Sequence, residues 1–451
     1  MGKIFGTDGI RCIVNTEPLT AETTLKISKT VGYLLKSKKS NNSRVIICKD
    51  TRLSGYLYEP LITAGFISMG MEVILVGPLP TPAVPHLMRT LRADIGVMIT
   101  ASHNTYEYNG IKFFNLDGFK ISSKLEKEIE NIVLNKKKYS KILNSNNKTG
   151  KAIRLEDASG RYSEFLKSTL NKNIKTKKLK IVLDCGNGAT YDIAPSIFWE
   201  LGHQVVSINN KPNGKNINYN CGAVNVGSLC KKVVEEKANI GFAFDGDGDR
   251  LIVVDDKGNE IDGDKIIALF AKYLIIEKKT ASKFPVVTTV MSNLGLENFL
   301  LKDLGIKLKR SPVGDINVIE EMKKNKSFLG GEQSGHIILS DFSKTGDGIL
   351  AALKITEIMS IIKKSSSSIF DLYDNLPQIK VNISYKKISE KIRQNIQNLN
   401  KKNSKDKKIR VLIRFSGTEP LIRLLVEGQD LKIVQQKAKN LELEIRNIIG
   451  Q

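Results

Sequence analysis

Three short apolar segments, each followed at once by a polar or glycine-rich string, constrain the fold of this chain most strongly. They lie at 95–99, 180–184 and 240–244. Each is short and apolar, as is typical of a buried strand, and helical patterns alternate with them along the chain. This alternation predicts α/β units built on parallel sheets. Open α/β sheets bind their ligands beyond the carboxyl ends of the strands, so function is expected in the strings that follow.

The length of 451 residues is too great for one hydrophobic core. Three successive α/β units of similar size are followed by a smaller α+β unit. We expect domain boundaries at 1–150, 151–255, 256–370 and 371–451. The Lys/Asn/Ser-rich stretch at 135–150 predicts an exposed linker, part of which can extend a helix, and the four serines at 365–368 predict a flexible one.

The composition indicates which partners and which cellular location to expect. A net charge of +23 is compatible with nucleic acid. The lysines, however, cluster in loop-like tracts, and no nucleic-acid-binding signature occurs, so we interpret the charge as a surface bias without a specific nucleic-acid partner. No run of about 18 apolar residues predicts a membrane span. Five cysteines without a C-x-x-C pair, and no apolar signal-peptide core, indicate reduced thiols and a cytoplasmic location.

The most distinctive string is Asp-Gly-Asp-Gly-Asp-Arg at 245–250, directly after an apolar strand. It places the carboxylates of Asp245, Asp247 and Asp249 at alternate positions. Like charges this close repel one another unless a cation neutralises them. Carboxylate oxygens suit Mg²⁺, which keeps open positions for phosphate oxygens. An exposed acidic turn is the structural alternative, whereas an EF-hand loop is excluded because Arg250 occupies its glycine position.

Two strings near the N-terminus offer a nucleophile and anion-binding groups. Ser102 lies in Thr-Ala-Ser-His-Asn at 100–104, just past a predicted strand, and Lys112 follows within reach of a phosphate. Alone, a serine in a polar loop is usually structural. The opening string Phe-Gly-Thr-Asp-Gly-Ile-Arg, which ends at Arg11, combines glycine amides with a guanidinium that suits a phosphate.

Two later strings suit a phosphorylated polyol. The glycine-rich turn at 330–336 offers Glu332 and Ser334, whose carboxylate and hydroxyl can hold adjacent sugar hydroxyls, while His336 is either a ligand or an ordinary packed histidine. The string at 414–420 combines hydroxyls, a glycine amide and arginines that can surround an anion, or it is a simple hairpin turn. Its candidate residues are Arg414, Ser416, Gly417 and Thr418, with Arg423 beyond the string. All these strings together predict metal-assisted phosphoryl transfer.

In this order, the strings resemble the α-D-phosphohexomutase superfamily over essentially the whole chain. The shared strings lie at 5–11, 50–55, 80–84, 100–104, 184–189, 245–250, 330–336 and 414–420. The opening string, the loop at 212–218 and the turn at 330–336 favour its glucosamine-phosphate branch over the glucose- and mannose-phosphate branches.

The resemblance implies an α/β fold, with three related α/β domains with mixed sheets and a smaller C-terminal α+β domain around a central cleft. It implies that Ser102 is the phosphorylated catalytic serine and that its phosphate holds Mg²⁺ together with the three aspartates. The other residues implied at the transfer site are Arg11, His103, Lys112 and Arg250. Glu332, Ser334 and His336 would contact the sugar. The candidate residues at 414–423 would hold the non-reacting phosphate.

The implied reaction converts glucosamine 6-phosphate into glucosamine 1-phosphate for UDP-N-acetylglucosamine and cell-wall synthesis. Phosphoserine at Ser102 donates its phosphoryl group, a hexosamine 1,6-bisphosphate forms and reorients, and the other phosphoryl group returns. A homodimer is a family expectation. The sequence departs from the usual pattern of the superfamily at two notable positions. Thr105 stands where proline is usual, and Ile316 stands where arginine is usual.

Three alternatives remain open from the sequence. The first is a sister mutase of the superfamily that acts on glucose or mannose phosphates. The second is a phosphatase that uses Asp245 as its nucleophile, because an Asp-x-Asp string after a strand also fits that chemistry. The third is a basic nucleic-acid-binding protein without enzymatic activity.

Overall fold

The structure of the chain is a computed structural model, and the parts that it describes are residues 4–6, 8–36, 43–143, 148–174, 177–275, 284–386, 388–403, 409–416 and 420–450. Four sheets lie at the centres of four domains, which are named here first to fourth in chain order. Three of the sheets are mixed, and the fourth is antiparallel. The predicted fold class, three α/β domains followed by an α+β domain, is confirmed.

The first domain has a six-stranded sheet in the order β1-β5-β4-β2-β3-β6. Its strands are β1 (Ile10–Ile13), β2 (Arg44–Lys49), β3 (Glu72–Pro78), β4 (Ile95–Ile99), β5 (Tyr108–Phe114) and β6 (Ala152–Arg154). Its helices are α1 (Ala21–Leu35), α2 (Gly55–Ser68), α3 (Ala83–Leu91), α4 (Ser123–Val133) and α5 (Lys136–Leu143). Strands β2, β3, β4 and β6 are parallel, and β5 is antiparallel to both neighbours. The polar loop after β4 therefore lies at the carboxyl edge of the sheet.

The second domain has a five-stranded sheet in the order β11-β10-β9-β7-β8. Its strands are β7 (Lys180–Asp184), β8 (Gln204–Ile208), β9 (Ile240–Phe244), β10 (Leu251–Val254) and β11 (Glu260–Ile261). Its helices are α6 (Ala158–Ser168), α7 (Ile193–Glu200) and α8 (Gly227–Glu235), with a 3-10 turn at Gly222–Val224. Because β9 is buried and parallel to β7, the acidic string that follows it also lies at a carboxyl edge.

The third domain has a four-stranded sheet in the order β13-β12-β14-β15. Its strands are β12 (Val286–Thr289), β13 (Leu308–Ser311), β14 (Leu329–Gly331) and β15 (Ile337–Leu339). Its helices are α9 (Gly263–Phe270), which continues as a π-helical turn (Ala271–Ile275), α10 (Leu294–Lys302), α11 (Asp315–Asn325), α12 (Gly348–Ile362) and α13 (Ser366–Phe370). Helix α12 is apolar around most of its circumference because it is buried between the second and third domains.

The fourth domain has a three-stranded antiparallel sheet in the order β16-β18-β17. Its elements are β16 (Gln378–Ser384), α14 (Glu390–Asn403), β17 (Ile409–Phe415), β18 (Leu421–Gly428) and α15 (Leu431–Ile449). Helix α15 buries Val434, Ala438, Leu441 and Ile445, which are spaced three or four residues apart, against this sheet. The domain therefore has its own hydrophobic core.

One predicted linker is wrong. Helix α13 begins within the four serines at 365–368, and the Ser366 side chain is fully buried. Its hydroxyl donates to the backbone oxygen of Asn239 at 2.7 Å and to Asp256 at 2.9 Å. The stretch at 135–150, which was also predicted to be a linker that can extend a helix, forms α5 and then includes residues 144–147, which lie outside the described residues. A second lysine-rich tract, at 400–408, also lies partly outside them. In the described part of the chain, no helix is long and apolar enough to cross a membrane.

Candidate active site

Loops from the first and second domains meet at the serine and the aspartates. Ser102 follows β4, and Asp245 follows β9. The Ser102 hydroxyl donates to Oδ2 of Asp245 at 2.8 Å, and both residues are buried. Side chains that are 143 positions apart in the sequence thus share one site. Ser102 has φ +48°, a left-handed conformation that is uncommon for a residue other than glycine.

The three aspartates form a compact group, with one carboxylate oxygen from each within 4.8 Å of the others. All three are buried. Thr81, from the loop before α3, donates to Oδ2 of Asp247 at 2.6 Å, and the Arg250 amide donates to Oδ1 of Asp245 at 3.1 Å. Oδ1 of Asp247 is buried and has no hydrogen-bond partner among the described residues. Clustered, under-satisfied carboxylate oxygens fit a hard divalent cation.

Lys112 of β5 provides a positive charge beside this group. Its Nζ lies 2.9 Å from Oδ2 of Asp247, 3.4 Å from Oδ2 of Asp249 and 3.2 Å from Oδ2 of Asp8. Against the effect of burial, Lys112 holds the pKa of Asp249 well below its usual range. Burial, together with Asp249 and Asp247, raises the pKa of Asp245 well above its usual range. The aspartates therefore differ in their proton affinity.

Two arginines and a histidine flank the serine. Arg11 donates to Asp8 at 2.9 Å and to the Asn104 side chain at 3.3 Å, and Nε of Arg250 lies 3.9 Å from Oδ2 of Asp245. Nδ1 of His103 lies 3.5 Å from the Ser102 hydroxyl. Burial, followed by the charges of Arg250 and Arg11, lowers the pKa of His103 to about 3, which keeps this ring neutral. The two guanidinium groups beside the serine suit a phosphate.

The turn between β14 and β15 extends the site into the third domain. Oε1 of Glu332 accepts from the Gly314 amide at 3.1 Å, and the exposed Ser334 hydroxyl lies 3.5 Å from Oε2 of Glu332. His336 is buried, accepts from the Gly346 amide at its Nε2 and lies 3.6 Å from Oδ1 of Asp249 through its Nδ1. His336 therefore contacts the aspartate group, while Glu332 and Ser334 lie on the open side of the turn.

Ion pairs of Lys120 extend this contact between the first and third domains. Lys120 of the first domain pairs with Asp8 and with Asp315 at the start of α11. Asp315 lies 3.8 Å from Nε2 of His336. Four residues around this site were not predicted as site residues: Asp8, Thr81, Lys120 and Asp315. Asp8 and Thr81 nevertheless lie in the strings at 5–11 and 80–84 that the sequence shares with the superfamily, whereas no such string marks Lys120 or Asp315.

The fourth-domain cluster is partly described. Arg414 of β17 lies directly opposite Arg423 of β18. Like charges in opposite positions of antiparallel strands are destabilising, which makes the pair a candidate for anion binding. Burial, followed by the charge of Arg423, lowers the pKa of Arg414. The Ser416 amide donates to the Leu421 carbonyl at 2.8 Å, and the predicted residues Gly417 and Thr418 lie outside the described residues.

Known proteins are similar to this chain over nearly its full length. Four family models match consecutive parts of the chain, described as phosphoglucomutase/phosphomannomutase alpha/beta/alpha domain I (residues 2–140), domain II (160–258) and domain III (262–378), and the C-terminal domain (379–443). A phosphoglucosamine mutase of Parvibaculum lavamentivorans is 47% identical, with 99% of both chains covered. That of Thermodesulfovibrio yellowstonii is 46% identical, with 98% of both chains covered.

Two solved structures have the same fold. A phosphoglucomutase/phosphomannomutase family protein of Burkholderia thailandensis has a TM-score of 0.81 at 22% identity, covering 99% of this chain and 97% of that chain. The N-acetylphosphoglucosamine mutase of Aspergillus fumigatus, in complex with GlcNAc-6P and magnesium, has a TM-score of 0.63 at 16% identity, covering 99% and 96%. By its four matching domains and its full-length relatives, the chain belongs to the phosphoglucosamine mutase family of the phosphohexomutase superfamily.

Proposed function

We propose that this chain interconverts glucosamine 6-phosphate and glucosamine 1-phosphate through phosphoserine at Ser102. The observation that carries the proposal is the buried hydrogen bond from the Ser102 hydroxyl to Asp245, within the group of three carboxylates. The phosphoglucosamine mutase relatives support the choice of sugar.

The proposed reaction moves one phosphoryl group in each half. The bond between phosphorus and Oγ of phosphoserine 102 breaks as a sugar hydroxyl oxygen bonds to phosphorus, and the proton that this hydroxyl releases is balanced by the one that Oγ gains, which gives a 1,6-bisphosphate and an unmodified serine. After the intermediate reorients, the bond between its other phosphorus and the sugar oxygen breaks, that phosphoryl group returns to Oγ, and the sugar oxygen gains a proton as Oγ loses one. Lys112, Arg11 and Arg250 stabilise the charge that develops on the phosphoryl oxygens, and neutral His103 lies beside Oγ.

The metal in this proposal is Mg²⁺, held by Asp245, Asp247 and Asp249 together with the phosphate on Ser102. When bound, it would neutralise phosphoryl charge. The partly unsatisfied carboxylate oxygens support this assignment. Thr81 holds the Asp247 carboxylate in place.

The remaining contacts place the substrate. Glu332 and Ser334 would bind sugar hydroxyls from the open side of their turn, and His336 would align that turn with the aspartates. The non-reacting phosphate would be bound by Arg414, Ser416, Gly417, Thr418 and Arg423. The opposed pair of arginines supports an anion at this position.

The organisation of the protein is part of the same proposal. The proposed domain boundaries are 1–150, 151–255, 256–370 and 371–451, although β6 and β11, which follow the first two boundaries, pair with the sheets of the preceding units. The protein would act on a small sugar phosphate in the cytoplasm, as a homodimer, without a specific nucleic-acid partner.

Two measurements test the proposal. Intact and peptide mass analysis should find a phosphoryl group on Ser102, and Ser102→Ala should lose turnover while Ser140→Ala, which changes a hydroxyl on exposed α5, should retain it. Values of kcat/KM on the 6-phosphates of glucosamine, glucose and mannose should rank glucosamine first. A lower rank for glucosamine would favour a sister mutase. Full turnover by Ser102→Ala would contradict the phosphoserine mechanism and favour chemistry at Asp245.

A further inference from the structure

The carbonyl side of the Ser102 loop is held by one buried arginine. Arg52, which follows β2, is only 2% exposed. Its Nη2 donates to the carbonyl of Ser102 at 2.9 Å and to that of Asn104 at 2.7 Å. Its Nη1 donates to the carbonyls of Thr105 and Tyr108. Four carbonyl groups of the loop and its exit thus converge on one guanidinium.

The backbone N–H group of Ser102 is connected to the same arginine by a chain of hydrogen bonds. The Ser102 amide donates to the Thr100 hydroxyl at 2.8 Å, and that hydroxyl donates to Oδ2 of Asp50 at 2.7 Å. The same oxygen accepts from Nε of Arg52 at 2.8 Å. Both peptide groups that flank the serine are therefore tied to the Asp50–Arg52 ion pair. All five N–H donors of the guanidinium are used.

The second domain holds the same carbonyl groups from its own side. Nδ2 of the Asn218 side chain donates to the Ser102 carbonyl at 2.8 Å and to the Asn104 carbonyl at 2.9 Å. Asn218 is 4% exposed. These bonds join the serine loop to the domain that carries the three aspartates. They fix the loop across the boundary where Ser102 meets Asp245.

These hydrogen bonds surround a residue whose backbone conformation is unfavourable. A left-handed conformation at a residue other than glycine is unfavourable and persists only where its surroundings determine it. At Ser102, with φ +48°, those surroundings are the Asp50–Arg52 pair, Thr100 and Asn218. Reacting groups must be placed within a fraction of an ångström for efficient transfer.

We propose that Asp50, Arg52 and Thr100, together with Asn218, are positioning residues for phosphoryl transfer at Ser102. They act through the backbone of Ser102 and set the place of its Oγ relative to Asp245. The inference rests on the proposed function, because it presumes that Ser102 carries the phosphoryl group.

Thr100 is the residue to change. Removal of Arg52 would leave Asp50 buried without its partner, which can prevent folding. Thr100→Val keeps the shape of the side chain but removes the hydroxyl that links Ser102 to Asp50, and Thr100→Ser keeps that hydroxyl. Thr24→Val is a matched control in α1, because the Thr24 hydroxyl is buried without a hydrogen-bond partner in the described part of the chain.

The kinetic test compares kcat with KM for glucosamine 6-phosphate. We expect Thr100→Val to lower kcat ten-fold or more with KM changed less than two-fold, while Thr100→Ser and Thr24→Val stay within two-fold of the wild type. Asn218→Leu should repeat the fall in kcat from the other domain. A wild-type kcat in both Thr100→Val and Asn218→Leu would overturn the proposal, as would an equal loss in Thr24→Val.

Amide hydrogen exchange separates this inference from the proposed function. We expect faster exchange in a peptide covering 100–105 of Thr100→Val, with little change in peptides from the fourth domain. Faster exchange with an unchanged kcat would overturn the positioning role and leave the mutase assignment intact. A wild-type protein that carries no phosphoryl group on Ser102 and has no mutase activity would instead refute the proposed function itself.

Discussion

Gly246 offers a sharp test of how closely the serine and aspartate loops must approach each other. A Cβ atom at this position would lie 2.6 Å from the Ser102 carbonyl oxygen and 2.7 Å from Nδ2 of Asn218. The two loops must therefore separate by about 0.4 Å to reach a contact of 3.0 Å, and by about 0.8 Å to reach an ordinary 3.4 Å. Because Arg52 and Asn218 already hold that carbonyl group, the aspartate loop has to move.

Gly246→Ala should consequently displace the aspartates from the serine and lower kcat. A misplacement of about 1 Å can cost about 100-fold in rate, so we expect a fall of about 10- to 100-fold in kcat. The assay is steady-state conversion of glucosamine 6-phosphate at saturating substrate. Urea unfolding in parallel would establish that the variant is folded under the assay conditions.

Gly160→Ala provides the matched control. Gly160 lies in α6, and nothing is found within 4 Å of a Cβ atom built at this position. The same chemical change should leave kcat unaltered and stabilise the protein by about 0.5–1 kcal/mol, because alanine is the better helix former. Wild-type kcat in Gly246→Ala would refute the reasoning, since the close approach would then be irrelevant to the chemistry.

Three further predictions concern other parts of the molecule. Chelation of divalent cations should abolish turnover, and Asp247→Asn should weaken Mg²⁺ binding in calorimetry while the circular dichroism spectrum stays unchanged. Lys354→Met should lower the free energy of unfolding by about 3–5 kcal/mol in urea titrations, because it leaves the buried carboxylate of Glu357 without its ion pair at 2.8 Å, and a double variant with Glu357→Leu should recover part of that loss. Burial, followed by the charge of Asp262, raises the pKa of Asp264 to about 7, so the folded state keeps a proton that the unfolded chain releases above about pH 4. Stability should therefore fall as the pH rises from about 4 to 7, and Asp264→Asn should reduce this slope in pH-dependent unfolding.

Local sequence patterns predicted the framework of the fold well. The strands at 95–99, 180–184 and 240–244 occur with the expected bounds, because short apolar segments between polar strings are most stable as buried strands. The resemblance to the phosphohexomutases is confirmed by family models and full-length relatives. The order of the strings along the chain indicated the superfamily, whereas each string alone also fitted an ordinary structural role.

Long-range contacts set the limit of sequence reasoning. Thr81 and Asp247 are 166 positions apart, and the Lys120–Asp315 pair spans 195. Such partners depend on how the domains pack, which local periodicity does not encode. The serine-rich segment at 365–368 was mistaken for a linker for the same reason, because the acceptors of Ser366 lie more than 100 positions away.

Most of the bonds that hold the serine loop end on carbonyl oxygens, which every amino acid possesses. Thr105, for example, offers its carbonyl to Arg52 whatever its side chain is. The side chain at such a position is therefore freer to change during evolution than the donors that hold its carbonyl group. Selection at this site should fall on Arg52 and Asn218 as well as on Thr100 and Ser102, loop residues whose side chains take part in the site.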